Sequence, residues 1–367
     1  MNDFEKTLAS YSYELPSELI ATTPAHPRDS ARLLIYNRKN DRVDLDTFHN
    51  IGTYLRKNAV LILNDTKVFP ARMILKKSTG GKIEALYLSQ QNDHITVLAT
   101  GKLRPEEILQ WEDGHAFTVI KRNGKEAILQ PNFPLSTFLS LLEAHGHIPL
   151  PPYIEKSPLS ESDRRREYQT VFARDSGSIA APTAGLHFTQ ELLDVLRSQG
   201  ISIEYVTLHV HLGTFAPLEE DQWEKKKLHT ERYHITADTA ERLNAAKKEG
   251  RPIVAVGTTT VRTLESACDQ NSPVGAWHAK PLRMPLKRSH AYLLSLQKLS
   301  GSTSLFLTES SPLHFVDHVI TNFHLPGTSL LMLVAAFTGR EKLMELYQKA
   351  VDEKMRFYSF GDGMLIV

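Results

Sequence analysis

The distribution of hydrophobic and polar positions divides the chain into three stretches. Up to about residue 70, continuous apolar runs at Arg32–Asn37 and Ala59–Asn64 predict buried strands. From 71 to 149, short runs of alternating character are separated by turn signals, and the dipeptide Asn123-Gly124 predicts a hairpin. From about 150 onward, helical periodicity alternates with short apolar strands.

The helices of the third stretch carry signals at their ends. Thr189 precedes one amphipathic run and predicts an N-cap, and Gly200 stands beyond its end. Asp238 is expected to cap the next helix, with Gly250 as its stop. The alternation of strands and helices predicts a layered α/β fold. We therefore expect an α/β main domain from residues 1–70 and 150–367, and a small antiparallel β-barrel inserted at 71–149.

Composition limits the class of protein. A chain of 367 residues with 41% hydrophobic and 23% charged residues is typical of a globular protein with two domains. A net charge of +1 does not by itself indicate a nucleic-acid partner. The single Cys268 excludes an internal disulfide and is expected in the core. Without a signal-peptide pattern or an apolar run of about 18 residues, we expect a cytoplasmic protein with no membrane contact.

Five loops rich in Gly, Thr, Pro and polar residues stand next to apolar runs. They are LNDTKVFPAR (63–72), GSIAAPTAGLHFT (177–189), HVHLGTFAP (209–217), GTTTVRTLES (257–266) and TNFHLPGTSLLML (321–333). Ligands of open α/β sheets bind at the carboxyl ends of strands, and helix N-termini favour anions. Together, the five loops predict one large pocket for a polar small molecule.

The loop GTTTVRTLES has the features of an anion site. Gly257 allows a tight turn, Thr259 or Thr260 is expected to cap the following helix, and Arg262 adds a bidentate donor. The loop lacks the glycine pattern of dinucleotide-binding and NTP-binding motifs, so neither of those functions is indicated. A capped helix with nothing bound is the alternative interpretation.

Histidines and charged residues elsewhere have two interpretations each. His209 and His211 share one face of a strand, which suits a general base; a metal site is not expected, because no Cys or HExxH accompanies them. His187 and His324 lie in aromatic loops, where they either contact a substrate or make structural hydrogen bonds. Asp65 is either a base or a partner of Arg72.

Three charged segments each have a structural interpretation beside a binding one, which for 163–167 is a tRNA contact. The pair formed by Arg28 or Arg32 with Asp29 is either an ion pair or a substrate fork. The basic residues of 276–303 form either a solvated loop or a phosphate-contacting arm, and 163–167 is expected to be a solvated helix face.

Taken in order, several long blocks resemble the S-adenosylmethionine:tRNA ribosyltransferase-isomerase family of queuosine biosynthesis. The blocks are YELPSELIATTPAHPRDSARLL, LNDTKVFPARM, HIPLPPYI, GSIAAPTAGLHFT, HVHLGTFAP, GTTTVRTLES, ITNFHLP with SLLMLVAAF, and RFYSFGDGM. The resemblance implies an α/β domain with an inserted β-barrel. It also implies that S-adenosylmethionine is the cosubstrate. Its ribosyl part is transferred to 7-aminomethyl-7-deazaguanine at the wobble position of tRNA and isomerised to epoxyqueuosine, with release of adenine and methionine.

The resemblance implies a set of site residues without assigning their individual roles. A sulfonium acidifies the neighbouring C5′–H, so a modest base suffices, and the methionine carboxylate suits a helix N-terminus or an Arg. The catalytic candidates are Asp65, His187, His209 and His324. The substrate-binding candidates are Arg28, Asp29, Arg32, Asn64, Thr66, Arg72, Thr183, Gly185, Gly213, Thr214, Phe215, Thr258, Thr259, Arg262 and Asn322.

The chain departs from the family pattern at several positions. His211 and Ala216 replace the usual residues, 276–303 is longer, and ESSPLHF stands before the penultimate strand. These departures leave open a paralogue that binds tRNA or a nucleotide without turnover. An S-adenosylmethionine methyltransferase is disfavoured, because the Gly-rich first loop is missing.

Overall fold

A computed structural model describes residues 2–151, 154, 157–210, 218–268 and 295–367. These residues form two compact units. The first comprises Met1–Lys67, Pro152–Leu159 and Glu167–Val367; the second comprises Val68–Pro151 and Ser160–Arg166. The segment 160–166, which the sequence pattern placed in the main domain, belongs to the second unit.

Strands and helices are numbered separately in chain order. The strands are β1 Arg32–Asn37, β2 Arg42–Thr47, β3 Val60–Asn64, β4 Thr66–Val68, β5 Arg72–Lys77, β6 Lys82–Gln91, β7 His94–Ala99, β8 Ile108–Gln110, β9 Ala116–Asn123, β10 Glu126–Pro131, β11 Asp175–Ser178, β12 Ser202–Leu208, β13 Lys227–His234, β14 Ile253–Val256, β15 Ser300–Leu305, β16 His318–Asn322 and β17 Gly363–Ile366. The α-helices are α1 Asp3–Ser10, α2 Phe138–His145, α3 Glu161–Glu167, α4 Gln190–Ser198, α5 Glu220–Lys225, α6 Ala237–Lys248, α7 Thr258–Ala267, α8 Ser329–Thr338 and α9 Arg340–Asp352.

One mixed sheet forms the frame of the first unit, with strand order β15-β13-β12-β3-β14-β16-β17-β1-β2. The neighbours β12, β3, β14 and β16 run parallel to one another. Their carboxyl ends therefore meet at one edge of the sheet. Strand β17 runs antiparallel to β16, which brings Gly363 opposite Asn322 at the same edge.

The apolar runs that predicted strands pack on both faces of this sheet. In β3, Val60 and Ile62 join one core cluster while Leu61 and Leu63 join the other. Since alternate side chains of a strand point to opposite faces, a strand covered on both sides is apolar throughout. All five residues of β3 are accordingly buried.

The second unit contains a closed antiparallel barrel with strand order β10-β7-β6-β5-β8-β9. Burial alternates residue by residue along β7, as the alternating pattern predicts. The predicted hairpin at Asn123-Gly124 joins β9 to β10. The expected fold, an α/β sheet with a small antiparallel barrel, is confirmed.

Helix ends are partly as predicted. The Thr189 side chain accepts a hydrogen bond from the Leu192 N–H and caps α4. The prediction that Asp238 caps α6 is wrong, because Thr236 has the extended backbone of an N-cap and its hydroxyl accepts from the Thr239 N–H at 3.2 Å. Asp238 lies instead in the first turn, where the helix dipole favours a carboxylate.

The start of α7 also differs from the expectation. Neither Thr259 nor Thr260 caps it; the N-cap is Gly257, at a φ of 85°, with no side-chain hydrogen bond. The Thr260 hydroxyl instead donates back to the Val256 carbonyl at 2.7 Å. Cys268, at the end of α7, is buried in the core as predicted.

Nothing in the described part of the chain is a helix of the length and apolar character that crossing a membrane requires.

Candidate active site

Asn64, at the end of β3, ties together the carboxyl edge of the sheet. Its amide nitrogen donates to the Leu208 carbonyl at 3.0 Å and to the Thr259 hydroxyl at 3.2 Å. Its amide oxygen accepts from the backbone N–H groups of Thr66 and Leu208, at 3.2 and 3.0 Å. All of its hydrogen-bonding capacity is used to hold β3, β12 and α7 in place.

Asp65, the next residue, is a buried carboxylate with partners on both oxygens. The Thr207 hydroxyl donates to Oδ1 at 2.7 Å, and the Arg174 guanidinium reaches Oδ2 at 2.6 and 3.1 Å. Arg174 lies over the Tyr205 ring, 4.7 Å from its centre. A cavity of about 230 Å³ lies beside Asp65, Arg174 and Thr207. The cation that Asp65 holds is thus Arg174, which the sequence pattern did not single out.

His209 follows β12 and is fixed on two sides. Its Nδ1 lies 2.9 Å from the Thr66 hydroxyl, and the chain at Gly177 passes directly against the ring. A Cβ atom added at Gly177 would lie 2.8 Å from the ring atoms Cε1 and Nδ1. The glycine is required here because no side chain fits between the backbone and the imidazole.

His187 closes the short 3₁₀ turn Thr183–His187. Its ring stacks on Phe48, with centres 4.6 Å apart and planes at 26°. Its Nε2 lies 3.2 Å from the Asn322 amide nitrogen, and the Asn322 amide oxygen accepts from the Thr183 hydroxyl at 2.8 Å. Burial, with the nearby Arg356 charge, lowers the pKa of His187 to about 4, so the ring is neutral at pH 7.

His324, two residues after β16, also has a neutral ring. Its Nε2 lies 2.8 Å from the Thr321 hydroxyl, and burial lowers its pKa to about 4. The Tyr347 hydroxyl accepts from its backbone N–H at 2.9 Å, and the Tyr13 hydroxyl donates to its carbonyl. The loop at His324 is therefore anchored to an aromatic core cluster.

The N-terminus of α7 lies at the same edge and links the two groups of residues. Thr258 and Thr259 are buried in its first turn, and Thr259 contacts Asn64. A Cβ atom at Gly257 would be only 3.7 Å from the Ala184 side chain, which places the α7 turn against the turn that carries His187. The first N–H groups of α7 have no side-chain cap and are suited to an anion.

Arg262 is surrounded by protein groups that bind its guanidinium. It is buried and ion-paired with Glu231 of β13. Its guanidinium also donates to the carbonyls of Leu305 and Thr303, at 3.2 and 3.5 Å. The side chain links α7 to β13 and β15, and we do not include it in the proposed substrate site.

The predicted N-terminal residues are likewise paired within the first unit. Arg28 donates to the Gln169 carbonyl and to the Glu167 carboxylate, and Arg32 donates to the Glu353 carbonyl. Asp29 is buried, with the His49 ring 3.0 Å away. Both arginines thus have structural partners, but these are Glu167 and Glu353 and not the expected Asp29, which pairs with His49.

Two further residues of the predicted site, Arg72 and Gly185, have close neighbours of a structural kind. Arg72 belongs to the second unit, where its guanidinium lies 3.9 Å from the Glu84 carboxylate. Gly185 packs so tightly on Phe172 that an added Cβ would lie 2.9 Å from that ring.

Sequence reasoning missed several residues around the site, namely Phe48, Arg174, Thr207, Arg356 and Asp362. Asp362 is buried just before β17 and accepts from the backbone N–H groups of Arg32 and Arg356, at 2.9 and 2.7 Å. Burial raises the pKa of its carboxyl group. Of these residues, only Arg356 and Asp362 could have been found from the sequence, because both belong to the block RFYSFGDGM that resembles the family.

Some predictions concern residues outside those that the structure describes. These are Gly213, Thr214 and Phe215 of the predicted site, the departures His211 and Ala216, and most of the basic segment 276–303. Of that segment, residues 295–303 are described, and residues 300–303 begin strand β15. Across the described ranges, no cluster of three His, Cys, Asp or Glu side chains has the arrangement of a metal site.

The fold and the site together define a class. An α/β sheet whose parallel strands end in Asp, Asn, Thr and His side chains, beside an uncapped helix N-terminus, is typical of an enzyme that binds a polar small molecule at the carboxyl edge. The family model described as queuosine biosynthesis protein matches residues 8–366. The chain belongs to this family.

Individual relatives match over nearly their whole length. The S-adenosylmethionine:tRNA ribosyltransferase-isomerases of Syntrophotalea carbinolica and Desulforamulus reducens are 41% and 42% identical to this chain. Each alignment covers 98% of this chain and 99% of the relative. The crystal structure of the S-adenosylmethionine tRNA ribosyltransferase of Thermotoga maritima is 30% identical, with a TM-score of 0.51, and the match covers 98% of this chain and 100% of that one.

Proposed function

We propose that this protein is an S-adenosylmethionine:tRNA ribosyltransferase-isomerase. It transfers the ribosyl group of S-adenosylmethionine to 7-aminomethyl-7-deazaguanine in the anticodon of tRNA and isomerises it to epoxyqueuosine, releasing adenine and methionine. The observation that carries the proposal is the alignment of relatives with that name over 98% of the chain. The residues held at the carboxyl edge of the sheet support it.

Parts of the proposed site suit S-adenosylmethionine. The first turn of α7, with Thr258 and Thr259, offers backbone N–H groups for the methionine carboxylate. Thr183, Asn322 and His187 offer polar atoms on the facing turn. A sulfonium acidifies the adjacent C5′–H, so the protein needs only a modest base close to that carbon.

We propose His209 as that base. Imidazole is the side chain that enzymes use most often as a general base. Contacts with Thr66 and Gly177 fix the orientation of its ring. Asp65, whose two oxygens bind Thr207 and Arg174, then acts by keeping the arginine in place. His324 remains in the candidate catalytic set.

The test is a turnover assay with S-adenosylmethionine and tRNA that carries the 7-aminomethyl-7-deazaguanine precursor. We expect equal amounts of adenine and methionine, released only when that tRNA is present. His209→Gln should lower kcat by about 10²–10⁴-fold, the contribution of a general base. Intact S-adenosylmethionine, in an assay where an active relative consumes it, would refute the proposal. Salt-dependent tRNA binding without turnover would then favour a non-catalytic binding protein.

A further inference from the structure

His187 is linked to Thr183 through the side-chain amide of Asn322, and the orientation of this amide bears on which ring nitrogen carries the proton. The Thr183 hydroxyl donates to the Asn322 amide oxygen at 2.8 Å, and the Asn322 amide nitrogen lies 3.2 Å from His187 Nε2. An amide oxygen only accepts and an amide nitrogen only donates. With the Asn322 amide in this orientation Nε2 is the acceptor, and the neutral ring then carries its proton on Nδ1.

The surroundings of His187 keep the ring neutral and fixed. The side chain is buried, and burial together with the Arg356 charge lowers its pKa to about 4. Stacking on Phe48 holds the plane of the ring. Within the described residues no hydrogen-bond partner is found for Nδ1.

We propose that Asn322 and Thr183 are positioning residues that hold His187 in its neutral Nδ1–H form, so that it presents a hydrogen-bond donor to the substrate. The role toward substrate rests on the function proposed above, whereas the tautomer does not. Because its Nε2 lone pair is occupied by Asn322, His187 is not the base of the reaction. It is suited to bind an acceptor atom, such as a ring nitrogen of the adenine.

The tautomer can be observed without turnover. We would label the full chain with ¹⁵N-histidine and record long-range ¹H–¹⁵N spectra at pH 7, identifying His187 among the 16 histidines by its loss in His187→Gln. We expect a protonated Nδ1 and an unprotonated Nε2. A protonated Nε2 at this residue would overturn the proposal.

Two variants test the positioning role. A carboxylate accepts only, so Asn322→Asp should move the ring proton to Nε2 and lower kcat at least about tenfold, with a smaller change in KM. Thr183→Val keeps the side-chain shape and removes the hydroxyl that binds the Asn322 amide; it should give a mixture of tautomers and an intermediate kcat. Thr263→Val is the matched control, because it removes a buried hydroxyl whose bond lies within α7.

The outcomes separate this proposal from the proposed function. Exchange of the tautomer in Asn322→Asp with kcat at the wild-type level would overturn the positioning role. A wild-type protein that shows the Nδ1–H form but transfers no ribosyl group would refute the proposed function and the role toward substrate. The assignment of the tautomer would then stand by itself.

Discussion

The rings of His187 and His324 lie at the carboxyl edge of the sheet, and each uses Nε2 to meet a neighbouring polar side chain. Residue type alone does not reveal such partners. The sequence indicates that these histidines stand in aromatic loops. Thr321 is a neighbour of His324 in sequence, but Asn322 and Phe48 are brought to His187 by the fold. The hydrogen bonds that each ring can make therefore depend on neighbours whose contacts the sequence does not show.

Burial of these imidazoles predicts that stability falls in mild acid. The pKa of His187 is lowered from 6.5 to about 4, so below pH 6.5 the unfolded chain binds a proton that the folded chain does not. Stability is full above pH 6.5 and declines toward pH 4. For His187 the loss between pH 7 and pH 5 is on the order of 2 kcal/mol.

Urea unfolding at the two pH values measures this effect. His187→Gln should lose less stability than the wild type between pH 7 and pH 5. His318 and His324, whose pKa values are also lowered to about 4, keep part of the dependence in both proteins. Equal losses in variant and wild type would contradict the prediction.

The close approach of Gly177 to His209 gives a second prediction at this scale. In Gly177→Ala the new Cβ would lie 2.8 Å from the imidazole, so the ring must move. We expect kcat to fall by about 10–100-fold, since displacing a catalytic group by about 1 Å has that effect. Gly81→Ala is the control, because its Cβ would meet only ordinary contacts, 3.6 Å or more away. Steady-state kinetics in which the two variants behave alike would exclude His209 as the base.

At the scale of elements, α7 connects the functional edge to the rest of the sheet. Asn64 binds Thr259 in its first turn, and the buried pair of Arg262 with Glu231 joins it to β13. Glu265, in the same helix, accepts from the backbone N–H groups of His314, Phe315 and Val316 just before β16. The first turn of α7 is therefore placed by contacts along the whole helix.

Variants of the Arg262–Glu231 ion pair test whether Arg262 has a structural role or binds the substrate. Arg262→Met should destabilise the protein by about 3–5 kcal/mol, because it removes the cation beside a buried carboxylate. Arg262→Met with Glu231→Met should recover much of that loss in urea unfolding, and should keep the wild-type KM for S-adenosylmethionine. A KM raised about tenfold or more in the double variant would assign Arg262 to the substrate after all.

Elements could be predicted where the pattern of burial is simple. β1 follows the run Arg32–Asn37 residue for residue, and the alternating runs give the barrel. Helix ends were harder to predict from the sequence. Thr236 and Asp238 are both good capping residues, and only the backbone geometry decides between them. At the start of α7 the chain turns at Gly257 and no side chain caps the helix, which neighbouring threonines in the sequence did not indicate.

Across the whole molecule, the order of strands brings the site together. Asn64, Thr207, Gly257 and Asn322 are far apart in sequence, but they lie at or next to the carboxyl ends of strands that are side by side in the sheet. The sequence predicted that the polar loops converge, and contacts now join Asp65 to Thr207, Thr66 to His209 and Asn322 to His187. It could not predict that Arg174 is the partner of Asp65, because that pairing depends on the fold.

The fate of the ribose of S-adenosylmethionine decides whether this edge is the active site of a ribosyltransferase. We would incubate the protein with tRNA carrying 7-aminomethyl-7-deazaguanine and S-adenosylmethionine labelled in the ribose carbons, and analyse the tRNA nucleosides by mass spectrometry. We expect the label in the modified nucleoside as epoxyqueuosine, and its loss in His209→Gln. Precursor tRNA that stays unlabelled, or that gains only a methyl group, would contradict the proposed function.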